Sequence, residues 1–225
     1  MWTLISATPS PYARKVRIAL AEKGIPFTLQ TEVPWDSTTK TKLYNPLEKL
    51  PVLILDDGKT AIYESHYRQY VQPGTVMEWL EAKHPEPALL PPATNMDDRL
   101  FAKQVEVVCD GICDALVLAF FEKQRGPEKQ SQPWMARQMR KADGGIQALA
   151  TWVDNAQGAE YLIGNQLTLA DIAIASVLGW FSLRFPEHPW QSQYIGLAMY
   201  WKGLETRKSF AETRPSPQTT KDSIV

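Results

Sequence analysis

Three short stretches of this chain carry side chains whose types and spacing could support chemistry: Ser10–Pro11, Leu50–Pro51 and Glu64–Ser65. A serine followed by proline is typical of a helix N-terminus, where the hydroxyl caps the helix and faces its positive end. A hydroxyl in that position can stabilise a bound anion, or it can serve the helix alone. Ser10 is therefore the first candidate for a catalytic group, with pure capping as the alternative.

The predicted elements around these stretches follow the order strand, helix, strand, β-hairpin, helix. Strands are predicted over residues 2–5, 27–33, 52–55 and 61–63, and a first helix over residues 12–23. An apolar stripe follows one face of this helix, and three cations lie on its other faces: Arg14, Lys15 and Arg17. Asp57–Gly58 favours a tight antiparallel turn between the last two strands. This order is that of a thioredoxin-like domain.

The second half of the chain is helical in character and follows a proline-rich segment. The predicted parts are a first domain over 1–86, a linker over 87–96, a helical domain over 97–210 and a loose polar tail over 211–225. Within the helical part, Thr168 and Asp171 have the spacing of a capping box at the start of an apolar helix. We assign that pair to folding rather than to chemistry.

Composition narrows the classes of partner. The 225 residues are 44% hydrophobic and carry a net charge of −1, so the chain can bury a full core and gives no support for nucleic acid or a membrane surface as a partner. Cys109 and Cys113 lie one helical turn apart and predict a buried pair of free thiols in a reducing cytoplasm. The three histidines are scattered, so no metal site is predicted.

The three stretches together resemble the glutathione-holding half of the cytosolic glutathione transferases, in their serine-type (theta/beta-like) branch. Residues 45–51, Asn-Pro-Leu-Glu-Lys-Leu-Pro, match the family pattern N-P-x-x-x-[VIL]-P, and Glu64–Ser65 follows at the family's distance. The resemblance covers nearly the whole chain. It implies an α/β N-terminal thioredoxin-like domain followed by an all-α C-terminal domain, and a homodimer.

The resemblance also implies a role for each candidate residue. Ser10 would donate a hydrogen bond to the thiolate of glutathione, while Glu64 and Ser65 would hold its γ-glutamyl end. The backbone of Leu50 would pair with the cysteinyl unit, because Pro51 is typically preceded by a cis peptide in this family. Lys49 would face the glycine carboxylate or remain a solvated loop lysine.

Two further features qualify these roles. Ser10 and Ala13 occupy the two positions that carry cysteines in thioredoxin-like proteins, so disulfide exchange at this site is excluded. Thr8 and Tyr12 are nearby hydroxyls that could substitute for Ser10. Pro73–Gly74 interrupts a helix that normally runs on in the family, which predicts a helix broken in two and leaves open whether the dimer geometry changes.

The expected activity is transfer of glutathione to a small hydrophobic electrophile, as in detoxification, with glutathione as co-substrate and no metal. Two alternatives share the first domain. One is a non-catalytic glutathione-binding carrier or regulatory protein, since a fold does not fix a function. The other is a glutathione-dependent lyase or isomerase, which would differ only in the pocket for the second substrate.

Overall fold

The computed structural model describes residues 1–63, 76–219 and 221. It divides into two compact units, one made of residues 1–90 with the segment from Lys208 onward, and the other of Pro91–Arg207. The first unit contains a four-stranded sheet, and the second is helical in the elements described. The predicted fold class, an α/β domain followed by an all-α domain, is confirmed.

The sheet of the first unit has the strand order β2-β1-β3-β4. Its strands are β1 (Trp2–Ser6), β2 (Phe27–Thr31), β3 (Val52–Ile54) and β4 (Ala61–Tyr63). β1 and β2 are parallel because helix α1 (Pro11–Glu22) connects them by a crossover. β3 runs antiparallel to both β1 and β4. The short helix α2 (Val76–Lys83) follows in the same unit.

Local sequence signals explain the connections. α1 begins after its N-cap Ser10, and the chain leaves it through Gly24, whose φ of 64° favours glycine. The turn between β3 and β4 uses Gly58 at a φ of 67°. The Asp57 carboxylate stabilises that turn by accepting the backbone N–H groups of Lys59 and Thr60 at 2.9 and 2.8 Å.

The helical unit is built from α3 (Met96–Gln124), α4 (Gln132–Asn155), α5 (Leu169–Arg184), α6 (Trp190–Gln193) and α7 (Ile195–Leu204). Every residue of α5 from Leu169 to Phe181 is buried, so this helix is the core of the unit. The predicted capping box at its start is formed: the Asp171 carboxylate accepts the Thr168 N–H at 2.6 Å. Cys109 and Cys113 of α3 are buried and form no disulfide, as predicted.

The C-terminal segment departs from the sequence prediction. The sequence predicts a helical domain that ends at residue 210 and a loose tail over 211–225, whereas residues 208–219 and 221 belong to the first unit. Helix α8 (Lys208–Ala211) opens this segment, and the Phe210 carbonyl accepts a hydrogen bond from Arg14 at 3.0 Å. Gln218 donates to the Glu32 carbonyl at 3.2 Å. These contacts join residues nearly 200 positions apart, which local composition does not reveal.

The same segment explains a second difference. Arg14, Lys15 and Arg17, which the helical pattern places away from the apolar stripe, are buried in the structure. α1 is covered on more than one face, because the consecutive residues 13–20 are all buried and Arg14 donates to the Phe210 carbonyl of α8. The predicted break at Pro73–Gly74 lies outside the described residues, and so do Glu64 and Ser65. Across the described residues, none of the helices is both long and apolar enough to cross a membrane.

Candidate functional site

Three segments of the first unit meet at one end of the sheet. The loop that leads to Ser10 follows the end of β1, and Leu50–Pro51 precede the start of β3. Because these strands are antiparallel and Ile5 is opposite Val52, the two segments lie at the same end. Ala7 and Leu50 belong to one buried apolar cluster there. β4 ends at that side as well, since Tyr63 is opposite Val52.

Ser10 lies half-buried at the N-cap of α1. Its Oγ accepts the backbone N–H of Ala13 at 3.2 Å, and its own N–H donates to the Ala7 carbonyl at 3.1 Å. A hydroxyl carries one proton besides its lone pairs. Within the described residues that proton is donated to no partner. Ser10 therefore caps its helix and keeps a donor available to a ligand.

The N-terminus of α1 differs from those of the three longer helices, α3, α4 and α5. α3 has Asp97 and Asp98 in its first turn, and α5 has Asp171. At α4 the Glu122 carboxylate accepts the N–H of the N-cap Ser131 at 2.6 Å, a bond that lowers the pKa of Glu122. The first turn of α1 contains no acidic residue. Its positive end is thus uncompensated by the chain's own first turn, the local condition that favours an external anion.

The peptide bond between Leu50 and Pro51 is cis, as the family resemblance implies. Both residues are buried, and Leu50 packs against Ile5 and Ala7. Within the described residues, the backbone N–H and carbonyl of Leu50 have no hydrogen-bond partner. A pair of open backbone groups at the end of a strand can bind an extended peptide in the manner of an added strand.

Asn45 fixes the loop that leads to Leu50, a role that the motif alone did not reveal. Its fully buried side chain donates to the Lys49 carbonyl at 2.8 Å and accepts the Leu47 N–H at 2.9 Å. The asparagine–proline dipeptide is a recognised turn signal and could have indicated this role. Lys49 itself is exposed. Its ammonium group is therefore free to remain in water or to meet a ligand carboxylate.

Two residues near Ser10 differ from the sequence prediction: Thr8 was a possible substitute for Ser10, and Arg17 was not a candidate at all. The Thr8 hydroxyl donates to the Ser216 carbonyl at 3.2 Å, so its proton is already used. The Thr8 carbonyl accepts a hydrogen bond from the buried Arg17 at 3.4 Å. Burial, together with the neighbouring charge of Arg14, lowers the pKa of Arg17 to about 10, which leaves it protonated at neutral pH. No local pattern marks either contact.

Comparison with known proteins agrees with this geometry. The glutathione S-transferase N-terminal domain family matches residues 9–66, and the glutathione S-transferase C-terminal domain family matches residues 132–202. A solved glutathione S-transferase from Methylobacterium radiotolerans, in complex with glutathione sulfonate, is 51% identical, with a TM-score of 0.91 over 100% of this chain and 99% of that one.

Two more distant relatives extend the comparison. A glutathione S-transferase from Methylobacillus flagellatus with glutathione bound is 30% identical, with a TM-score of 0.85 over 96% of this chain and 100% of that one. Maleylacetoacetate isomerase of Mus musculus is 30% identical over 166 residues, which are 71% of this chain and 68% of the isomerase. The chain therefore belongs to the glutathione S-transferase family.

Proposed function

We propose that this protein is a serine-type (theta/beta-like) glutathione transferase that conjugates glutathione to a small apolar electrophile. The observation that carries the proposal is the Ser10 hydroxyl, whose proton is donated to none of the described residues and which lies at a helix N-terminus with no acidic residue in its first turn. That arrangement suits a bound thiolate better than it suits a neutral ligand. The relative solved with glutathione sulfonate binds a ligand that is anionic at the sulfur position.

The energetics of thiol activation fit this site. A free thiol has a pKa of about 8.5, and lowering it by two units requires about 2.7 kcal/mol of preference for the anion. A hydrogen bond to a charged acceptor contributes about 1.5–3 kcal/mol, and a partly buried helix terminus adds up to about 2 kcal/mol. One hydroxyl and one helix end therefore suffice. Ser10 is favoured over Thr8 because the Thr8 hydroxyl already donates to Ser216.

Glutathione is held by the segments that converge on the same end of the sheet. The open N–H and carbonyl of Leu50 would pair with the cysteinyl backbone, with Pro51 fixing their direction. Lys49 would meet the glycine carboxylate. Glu64 and Ser65 would hold the γ-glutamyl end; what supports this assignment is that β4 delivers the chain to that end of the sheet at Tyr63.

The reaction follows from the thiolate. Glutathione binds and loses its thiol proton to solvent, and Ser10 donates a hydrogen bond to the sulfur anion. The sulfur then forms a bond to an electrophilic carbon, and the leaving group, such as chloride from an aryl halide, departs with the bonding electrons. The atoms and charges balance without a metal or a redox partner.

A second candidate, a glutathione-dependent isomerase, is favoured by the likeness to mouse maleylacetoacetate isomerase. The same thiolate would add to an activated carbon–carbon double bond, the new single bond would rotate, and the thiolate would leave again. Ser10 would have the same role in both reactions. The difference lies in the second substrate, which is an acidic unsaturated ketone rather than an apolar electrophile.

One experiment separates these functions. Glutathione binding is measured by calorimetry, and turnover is then measured with 1-chloro-2,4-dinitrobenzene and, in parallel, with a cis-configured unsaturated diketo acid. Conjugation of the aryl halide supports the transferase. Isomerisation without net consumption of glutathione supports the isomerase. Binding without either reaction would leave the carrier function, and absence of binding would contradict all three.

A homodimer in the cytoplasm completes the proposal. α3 exposes a stripe of large apolar side chains along one face of its 29 residues: Met96, Leu100, Val107 and Leu118, each at least 46% exposed. A stripe of this length is typical of a surface that a partner covers. A second copy is the occupant that the family resemblance implies. Sedimentation should give a dimer for the native chain and a monomer for Val107→Glu.

A further inference from the structure

α1 buries more positive charge than a helix of 12 residues usually does. Arg14, Lys15 and Arg17 are 0%, 2% and 6% exposed. Burying a cation is costly unless it is paired or put to use. Arg14 is tied to the C-terminal segment through the Phe210 carbonyl. Arg17 is the member of the group whose surroundings call for another explanation.

Among the described residues, the structure pairs Arg17 with the Thr8 carbonyl and with no carboxylate. Its Nε is buried and has no hydrogen-bond partner. The guanidinium charge is therefore not neutralised by a described acid. It lies against Thr8, only two residues before Ser10 in the chain.

The carbonyl and the hydroxyl of Thr8 are both hydrogen-bonded. Its carbonyl accepts from Arg17, and its hydroxyl donates to the Ser216 carbonyl of the C-terminal segment. The loop is closed at its other end by the hydrogen bond from the Ser10 N–H to the Ala7 carbonyl. Arg17 thus contacts the loop that sets the position of Ser10.

We propose that Arg17 is a positioning residue for the glutathione thiolate, which fixes the Ser10 loop through Thr8 and places behind it a positive charge that no described acid neutralises. This inference rests on the proposed function. Ser10 and Arg17 are seven residues apart along the helix, which is about 10 Å, so the charge of Arg17 is close enough to act on an anion bound at Ser10. At that distance and an effective dielectric constant of about 20, one charge changes the affinity for an anion by about tenfold.

A pair of ligands measures this effect without any turnover. Glutathione sulfonate is anionic at the sulfur position, whereas S-methylglutathione is uncharged there and identical elsewhere. The ratio of their dissociation constants, obtained by calorimetry, reports the preference of the site for negative charge. The native chain is compared with Arg17→Met, Arg17→Lys and the control Arg137→Met, which removes an exposed cation from α4.

We expect Arg17→Met to reduce the preference for the sulfonate by about tenfold. Arg17→Lys and Arg137→Met should keep the native ratio within about twofold, since the first retains the buried charge and the second removes only a screened surface charge. Arg17→Gln removes the charge but keeps a donor toward Thr8, and it provides the same test if the methionine variant does not fold.

Two results would overturn the inference while leaving the proposed function intact. One is a ratio of the two dissociation constants in Arg17→Met or Arg17→Gln that equals the ratio in the native chain. The other is an equal loss of affinity for both ligands, which would mean that Arg17 only supports the fold. Failure of the native chain to bind either ligand would instead contradict the proposed function itself.

Discussion

The N-termini of α1 and α5 carry similar capping residues but differ in purpose. At α5, Thr168 and Asp171 form a capping box, and the Asp171 carboxylate is fully buried within the chain. At α1, Ser10 caps the helix, and the third helical position holds Ala13 rather than an acid. At α5 the protein supplies its own carboxylate to the helix terminus, whereas the first turn of α1 contains no acid. The difference teaches that a capped helix is informative about a ligand when its first turn has no acid and no carboxylate such as Glu122 at α4 is supplied from elsewhere in the chain.

Asp171 shows how thoroughly the α5 terminus is closed. Its carboxylate accepts the Leu162 N–H at 2.8 Å, the Thr168 N–H at 2.6 Å and the Thr168 hydroxyl at 3.0 Å, and it also accepts the Tyr200 hydroxyl. Burial raises the pKa of Asp171 above its ordinary value, although each of these donors acts in the opposite direction. The carboxylate is a structural hub with no capacity left for a ligand.

The largest expected effect is on stability at this closed terminus. Asp171→Asn puts an amide NH₂ where donors converge, so we expect the free energy of unfolding to fall by about 3 kcal/mol. Urea unfolding measures the loss. The matched control is Asp97→Asn at the exposed first turn of α3, which should cost less than about 1 kcal/mol. Equal losses in the two variants would contradict the contrast between closed and exposed helix ends.

The next effect is on activity at the open terminus. Ser10→Ala removes the donor to the thiolate, so kcat/KM with an aryl halide should fall about 100-fold. Ser131 is a matched control because its Oγ caps α4 by accepting the Trp134 N–H at 3.4 Å. Both substitutions should lower the free energy of unfolding by about 1 kcal/mol through loss of a cap. Only Ser10→Ala should change turnover. Similar rates for the Ser10 and Ser131 variants would mean that Ser10 serves only as a helix cap.

A smaller effect, on the affinity for an anionic ligand, is expected when an acidic residue is introduced into the first turn of α1. Tyr12 is the second residue of α1 and is half-buried, so Tyr12→Asp supplies the acid that the first turn lacks. Repulsion should weaken binding of glutathione sulfonate about tenfold relative to Tyr12→Asn, which has the same size without the charge. Calorimetry at low ionic strength measures the ratio. Equal affinities would show that the helix terminus does not contact the ligand's sulfur end.

Much of this contrast is readable from local sequence, because helix caps and tight turns depend on neighbouring residues. Ser10–Pro11, Asp57–Gly58 and Thr168 with Asp171 predicted a helix start, a hairpin and a capping box, and all three are confirmed. The helix and strand limits agree to within two residues wherever both were given. The apolar stripe predicted along one face of α1 is buried, as Val16, Ala19 and Leu20 show.

The remainder depends on contacts that local patterns do not encode. The bond from the buried Arg14 to Phe210 and the use of the Thr8 hydroxyl follow from α1 and its loop meeting residues 208–219. A polar segment with two prolines has the composition of a loose tail, and only the folded chain brings Ser216 to Thr8. Sequence reasoning therefore named the candidate hydroxyl but missed the groups that hold its loop.

The central claim is that the open terminus of α1 makes the thiol of bound glutathione easier to ionise. Ultraviolet absorbance of the thiolate, titrated across pH in the glutathione complex, measures that pKa directly. The account predicts a value about two units below the 8.5 of a free thiol, and a return toward that value in Ser10→Ala. A bound thiol that titrates as it does in buffer would contradict the account.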